Sequence, residues 1–195
     1  MSNEALMFKY DVDTPWLKYY HTVPQHLSYP DCSMVDMIKG VAEKYPDYTA
    51  FVFQGNKTSY REMIQQIRRV GRAFSALGIR KGDRVMVCMP NCPQAVLSFY
   101  GLNSIGAVAT MVHPLSSIGE IEFYIEDSES VAVVTLDMFY DKFTEVLKAT
   151  PVRNLIVSSV ADALSPIMKL GYCLLREERS HMRSSGAPLC CGRIS

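Results

Sequence analysis

The side chains best suited to chemistry are few and scattered along the chain. Cys88 and Cys92 are separated by three residues rather than the two of a common zinc-binding pair, and no two histidines stand at ligand spacing. Both thiols fall in or beside the apolar run VMVCMPNC, so they are expected to pack rather than to bind metal or react. His113, just before Pro114, is expected in a loop at the carboxyl end of a parallel strand, the edge where α/β sheets bind ligands. A solvated or structural loop histidine is the plainer reading, and no catalytic role is given to it. The segment MPNCPQ, Met89 to Gln94, stands where a dinucleotide-binding fold carries its glycine-rich turn, and it contains no glycine, which disfavours a nicotinamide-dependent oxidoreductase. Phe99, Tyr100, Phe123 and Tyr124 fall on predicted helices at core spacing and are expected to pack, not to stack on bases. No residue is thus assigned as catalytic, cofactor-binding or metal-binding.

The elements that would position these groups follow from capping signals and periodicity. Ser33, with Asp36 three residues on, starts a predicted helix that ends before Pro46, with Met34, Met37, Ile38, Val41 and Tyr45 as its apolar face. TAFVF, Thr49 to Phe53, reads as a strand followed by the turn residues QGNK, so a hairpin is expected there. Ser59 and Glu62 form a capping box opening a helix with Met63, Ile67, Val70, Phe74 and Leu77 on one side and Gly78 beyond its end. A regular alternation follows: strand Arg84 to Met89, helix Pro93 to Ile105, strand Ala107 to Met111, helix Ser117 to Asp127, strand Val131 to Leu136, helix Met138 to Ala149 and strand Asn154 to Ser158. The strand starts are evenly spaced and leave room for crossover helices, and their runs are continuously apolar. Together these predict an α/β fold: a mostly parallel sheet with helices on both faces.

The first thirty residues carry Pro15, Pro24 and Pro30 with no sustained period, and are read as an extended arm whose aromatics argue against disorder. The body of the fold is placed at residues 31–172. Lysine plus arginine equals aspartate plus glutamate at 20 each, so no basic field is available to hold nucleic acid. The start MSNEALMFKY lacks the layout of a secretory signal, and the longest apolar runs fall far short of the roughly 20 residues that span a bilayer. A cytoplasmic protein with its six cysteines reduced is expected. From Cys173 the pattern stops. Residues 173–195 hold half of the cysteines, together with arginines and serines that form no apolar face, so they read as a disordered tail or as the product of a frameshift near Gly171.

Three stretches, taken in order, carry a family resemblance. TSYREM, Thr58 to Met63, is similar to a "TYxEL" helix start. LGIRKGDRVMVCMPNCPQAV, Leu77 to Val96, is similar to "LGVKKGDRVAIYLPNSPEFV". LNSIGAVATMVHPL, Leu102 to Leu115, is similar to "LKAGAVVVPLNP". The chain resembles the opening of the acyl-adenylate-forming, AMP-binding superfamily, from about Pro15 to Tyr172. PWLKYYHTVPQHLSYP is similar to the bacterial long-chain fatty acid–CoA ligases in particular.

The resemblance implies the amino-terminal subdomain of an adenylate-forming, flavodoxin-like fold, incomplete as it stands. It implies a reaction that joins a carboxylate, such as a fatty acid, to AMP from ATP and then passes the acyl group to CoA, with Mg²⁺ assisting. Such chemistry needs a Gly/Ser/Thr loop with a lysine around the phosphates. RSSGAPLCC, Arg183 to Cys191, shares only Ser184, Ser185 and Gly186 with the family's "SSGTTGxPK" loop, lacks its second glycine and its lysine, and is rejected as a match. The chain is therefore expected to be an inactive ligase fragment. The alternatives are one half of a split ligase with a complementary polypeptide, and a non-catalytic interaction or small-molecule-binding module. Exposed sheet edges and apolar surface are expected to favour self-association.

Overall fold

The structure, a computed structural model, describes residues 15–24, 27–152, 154–165, 168, 169 and 172. The chain divides into two units, Met1–Cys32 and Ser33–Ser195. In the first, Pro15–Tyr19 form a short 3-10 helix, and the ammonium of Lys18 sits 5.0 Å from the centre of the Tyr19 ring. The predicted tail at residues 173–195, with the RSSGAPLCC stretch, lies outside the described residues.

The second unit begins with helix α1, Met34–Lys44. The Ser33 hydroxyl accepts from the amide of Asp36 and so satisfies one of the donors left free in the first turn. A hairpin follows, β1 (Thr49–Phe53) and β2 (Asn56–Ser59), paired antiparallel. Its turn residues Gln54 and Gly55 both have positive φ, 48° and 82°, the conformation that matches the twist of two-residue hairpins. Helix α2, Tyr60–Ala76, starts on the expected capping box: Ser59 accepts from the Glu62 amide while the Glu62 carboxylate accepts from the Ser59 amide.

Beyond α2, strands β3 (Arg84–Cys88), β4 (Val108–Val112), β5 (Ala132–Leu136) and β6 (Asn154–Ser158) form one parallel sheet in the order β4-β3-β5-β6. The intervening helices are α3 (Pro93–Ser104), α4 (Ile118–Asp127) and α5 (Tyr140–Ala149). Successive strand residues face opposite sides, and the two faces carry separate cores. Val85, Val87, Val134 and Leu136 pack with Val70 and Phe74 of α2 and Leu102 of α3. Met86, Cys88 and Val133 pack with Ile121 and Ile125 of α4 and Phe143 and Val146 of α5. Fully buried side chains such as Phe74 and Phe143 each contribute about 1.5–3 kcal/mol by leaving water.

Helices α2 and α3 approach closely because Gly71 and Gly101 face each other; a Cβ at Gly101 would lie 2.7 Å from Val70 Cγ1. At the amino ends of the strands, Gly82 N–H donates to Gly106 O at 2.9 Å and Val108 N–H to Asp83 O at 2.8 Å. Gly106 has φ +75°, and a Cβ there would meet the Lys81 side chain at 2.8 Å.

Two packing expectations are corrected. On α1 the buried residues are Val35 and Ala42, with Ile38 partly buried beside them, whereas Met34 (51% exposed), Met37 (53%), Val41 and Tyr45 turn outward. Two apolar sets compete on this helix, and the smaller side chains win because they let α1 settle against α2, while the Asn103 side chain fixes the start of α1 by accepting from the Val35 amide at 3.0 Å. On α4, Phe123 is 60% exposed and Tyr124 is also exposed, because Ile121 and Ile125, one turn apart, already fill the stripe facing the sheet.

Candidate functional site

The strand order fixes where a ligand would sit. The chain leaves β3 through α3 on one face toward β4, and leaves β5 through α5 on the other face toward β6. The crevice between the carboxyl ends of β3 and β5 is therefore the switch point of the sheet, the usual binding place in such folds. It is bordered by Met89 to Cys92 after β3 and by the 3-10 turn Asp137–Phe139 after β5. Beneath it the buried hydroxyl of Thr135 donates to Cys88 O at 2.9 Å and ties the two strand ends together.

Two long polar side chains at this edge hold the loops. Gln94 Nε2 donates to Ser159 O at 2.8 Å, linking the start of α3 to the loop after β6. Lys142 of α5 donates to Pro114 O at 3.1 Å and to Ser116 O, so its ammonium closes the loop after β4. His113 lies in that loop and is exposed; its Nδ1 accepts from the Leu115 amide at 3.2 Å, which places the proton of the neutral ring on Nε2. The turn residues 89–94 and 137–139 include no lysine, arginine or glycine. An edge without free cations or a close-approach backbone has little to offer a polyphosphate.

The two cysteines picked out by spacing are core residues. Burial pushes the Cys88 thiol up to about 11, against a smaller opposite pull from Lys142. Burial also raises Cys92, opposed by backbone hydrogen bonds from Ala95 and Gln94. A thiol raised in this way is a poor nucleophile and a poor metal ligand. Among the described residues no three His, Cys, Asp or Glu side chains group as a metal site, and no helix is long and apolar enough to cross a membrane.

The structure also forms a cleft that sequence reading missed. About 370 Å³ in volume, it lies between β1, the start of α3 and β4, and is walled by Phe51, Phe53, Val96, Phe99, Tyr100 and Met111. Phe51 and Phe53 share one face of β1 by the two-residue period, the only local signal for it. Phe99 and Tyr100 thus line an opening rather than a closed core. Lys142 was also missed, since its partners stand far from it in sequence.

These features define an α/β protein whose strand order follows the flavodoxin-like pattern, with an apolar cleft beside its sheet. A family described as AMP-binding enzyme matches residues 38–175, more than half of the chain, and the chain belongs to that family. Over 169 residues it is 29% identical to a long-chain-fatty-acid–CoA ligase of Bacillus subtilis, covering 86% of this chain and 30% of that protein. A long-chain-fatty-acid–CoA ligase of Yersinia pestis is 34% identical over 77% of this chain and 27% of its own length. The crystal structure of a long-chain-fatty-acid–CoA ligase from Archaeoglobus fulgidus superposes with a TM-score of 0.64 at 29% identity, over 70% of this chain and 30% of that one. The chain thus spans less than a third of the length of these relatives.

Proposed function

We propose that residues 31–172 are the amino-terminal subdomain of an ATP-dependent acid–CoA ligase, with a fatty acid as its substrate, and that the 195 residues do not catalyse the reaction by themselves. In the intact ligase ATP supplies the adenylyl group, Mg²⁺ offsets phosphate charge and CoA accepts the acyl group; a cytoplasmic location accords with this use of soluble cofactors. The substrate class is supported by the names of the relatives in Bacillus and Yersinia.

The observation that carries the inactivity is the chemistry of the carboxyl edge. Transfer at a phosphorus centre depends on positioned positive charge and backbone donors around the phosphates. At this edge the Lys142 ammonium is held by Pro114 O and Ser116 O, and the loop opening α3 runs Asn91, Cys92, Pro93 with no glycine. This part of the chain therefore acts as scaffold: it brings strand ends into register and presents an apolar cleft.

The test is ATP–pyrophosphate exchange with medium- and long-chain fatty acids, on the purified chain alone and mixed with the polypeptide encoded downstream of it. No exchange by the chain alone is expected. Exchange by the unmixed chain overturns the reading, and exchange only in the mixture identifies half of a split ligase.

A further inference from the structure

The loop after β4 is a turn built around His113. Ser116 N–H donates to His113 O at 3.1 Å and closes a turn with Pro114 at its second position, where the fixed φ of proline is favoured. Pro114 is buried, but the next residue, Leu115, is 77% exposed, so packing does not hold it. The Leu115 amide donates to Nδ1 of the His113 ring at 3.2 Å, its one acceptor among the described residues. The geometry is that of an Asx turn, in which a side chain accepts from the amide two residues on, with an imidazole in place of the usual carboxamide or carboxylate.

That difference matters because an imidazole changes its hydrogen-bonding character between about pH 5 and 8. A neutral ring accepts at one nitrogen, whereas a protonated ring donates from both. Nδ1–H and the Leu115 amide would then be two donors facing each other. The charged groups around the loop do not rescue the contact. On α5 the Lys142 ammonium already donates to Pro114 O and Ser116 O, so a second positive charge in the turn is opposed. On α4 the Glu120 carboxylate is engaged by the Ser117 amide and hydroxyl, at 2.7 and 3.0 Å. These bonds hold it below the ordinary carboxylate range, so it stays ionised while an imidazole titrates. β4 itself, VATMV, carries no charged residue.

We propose that His113 makes the loop after β4 a pH-sensitive element, ordered by the neutral imidazole and released when the ring takes up a proton at Nδ1. The bond that is lost shapes residues 113–116 together with the Ser116–His113 turn bond and the two bonds from Lys142. Release is therefore local: Lys142 keeps hold of Pro114 and Ser116 while Leu115, between them, gains freedom. Because β4 runs from Met111, which walls the apolar cleft, into this loop, acid loosens the chain where it leaves the border of that cleft.

The proposal goes beyond the ligase reading and is measured independently of it, since no substrate is needed. Nitrogen-15 NMR of the full chain, run from about pH 8 down to about pH 5, reads both the His113 ring and the Leu115 amide. At the upper end the ring should carry its proton on Nε2, and the Leu115 amide should exchange about 3- to 10-fold more slowly than in an unstructured peptide at the same pH, as one exposed hydrogen bond gives. That protection should vanish as the His113 ring titrates. In His113→Asn, whose carboxamide supplies an acceptor that does not titrate, it should persist at every pH. In His113→Phe, with the circular dichroism spectrum unchanged, it should be absent throughout. An Nδ1-protonated neutral ring overturns the proposal, as does a Leu115 amide that is unprotected at the upper end or whose protection does not follow the ring. Protection that survives His113→Phe, or that His113→Asn fails to keep at the lower end, overturns it equally.

Discussion

Replacing Gly101 with alanine tests the packing on which the sheet's first face depends. Helix propensity alone would make Gly101→Ala stabilising by about 1 kcal/mol. The added methyl, however, would sit 2.7 Å from Val70 Cγ1 and 3.2 Å from Val70 Cβ, well inside ordinary contact. Val70 is buried and β-branched on a helix, so it has essentially one rotamer and cannot swing aside; α2 and α3 must separate instead. Overpacking of this kind costs about 1–3 kcal/mol, so after the propensity gain a net loss of up to about 2 kcal/mol is expected, or up to roughly 8 °C in Tm for a unit of this size. Gly40→Ala is the matched control. Gly40 is helical and exposed with nothing within 4 Å of the added Cβ, so there the propensity gain stands alone and Tm should rise. Thermal melts followed by circular dichroism at one protein concentration decide the matter. If Gly101→Ala is as stable as Gly40→Ala, the close approach of the two helices is wrong.

Further expectations concern titration and thiol access. The Glu62 and Glu120 carboxyls are held below the ordinary range, chiefly by accepting from the backbone amides of Ser59 and Ser117. Groups lowered on folding stabilise above their unfolded pKa, so this contribution should fade as pH falls from about 4.5 downward, and Glu62→Gln should flatten that part of the stability curve measured in urea. Cys88 behaves oppositely: its thiol is raised to about 11 from 9.0, so folding favours the protonated form and stability should fall as pH climbs through that interval. Alkylation at pH 8 with peptide mapping should leave Cys88 and Cys92 unmodified until denaturant is added; rapid labelling of both in the folded chain would contradict their burial.

What could be read from the sequence follows from how local each signal is. Ser33 and Ser59 mark helix starts because a hydroxyl and a carboxylate three residues apart satisfy free amides without help from the rest of the fold. The Ser117–Glu120 box lay in the same kind of pattern and went unread, although the helix it opens was placed correctly. The apolar runs around Val87 and Val134 announced a parallel sheet buried on both faces, since few other environments accept such runs. Strand order was not legible, because β3 sits between β4 and β5 through contacts made after the helices have crossed. The apolar face of α1 was misread for a related reason. Met34, Met37 and Val41 outweigh Val35 and Ala42 by size, but close approach to α2 rewards the smaller set. At the carboxyl edge the missing glycine was visible in MPNCPQ, while the engagement of Lys142 by Pro114 and Ser116 depends on α5 meeting the loop after β4 and leaves no trace in local spacing.

The pair of backbone bonds at the amino ends of β3 and β4, Gly82 to Gly106 and Val108 to Asp83, bears on how this sheet assembles. They continue the alignment of the two strands past the amino-terminal end of the five facing positions from Arg84–Val108 to Cys88–Val112. A slip of one residue would swap the two faces of β4 and turn the side chains of its neighbours' partners to the wrong layer. Lengthening either turn by one residue should therefore yield a chain that collapses with its helices intact yet never settles on a single arrangement.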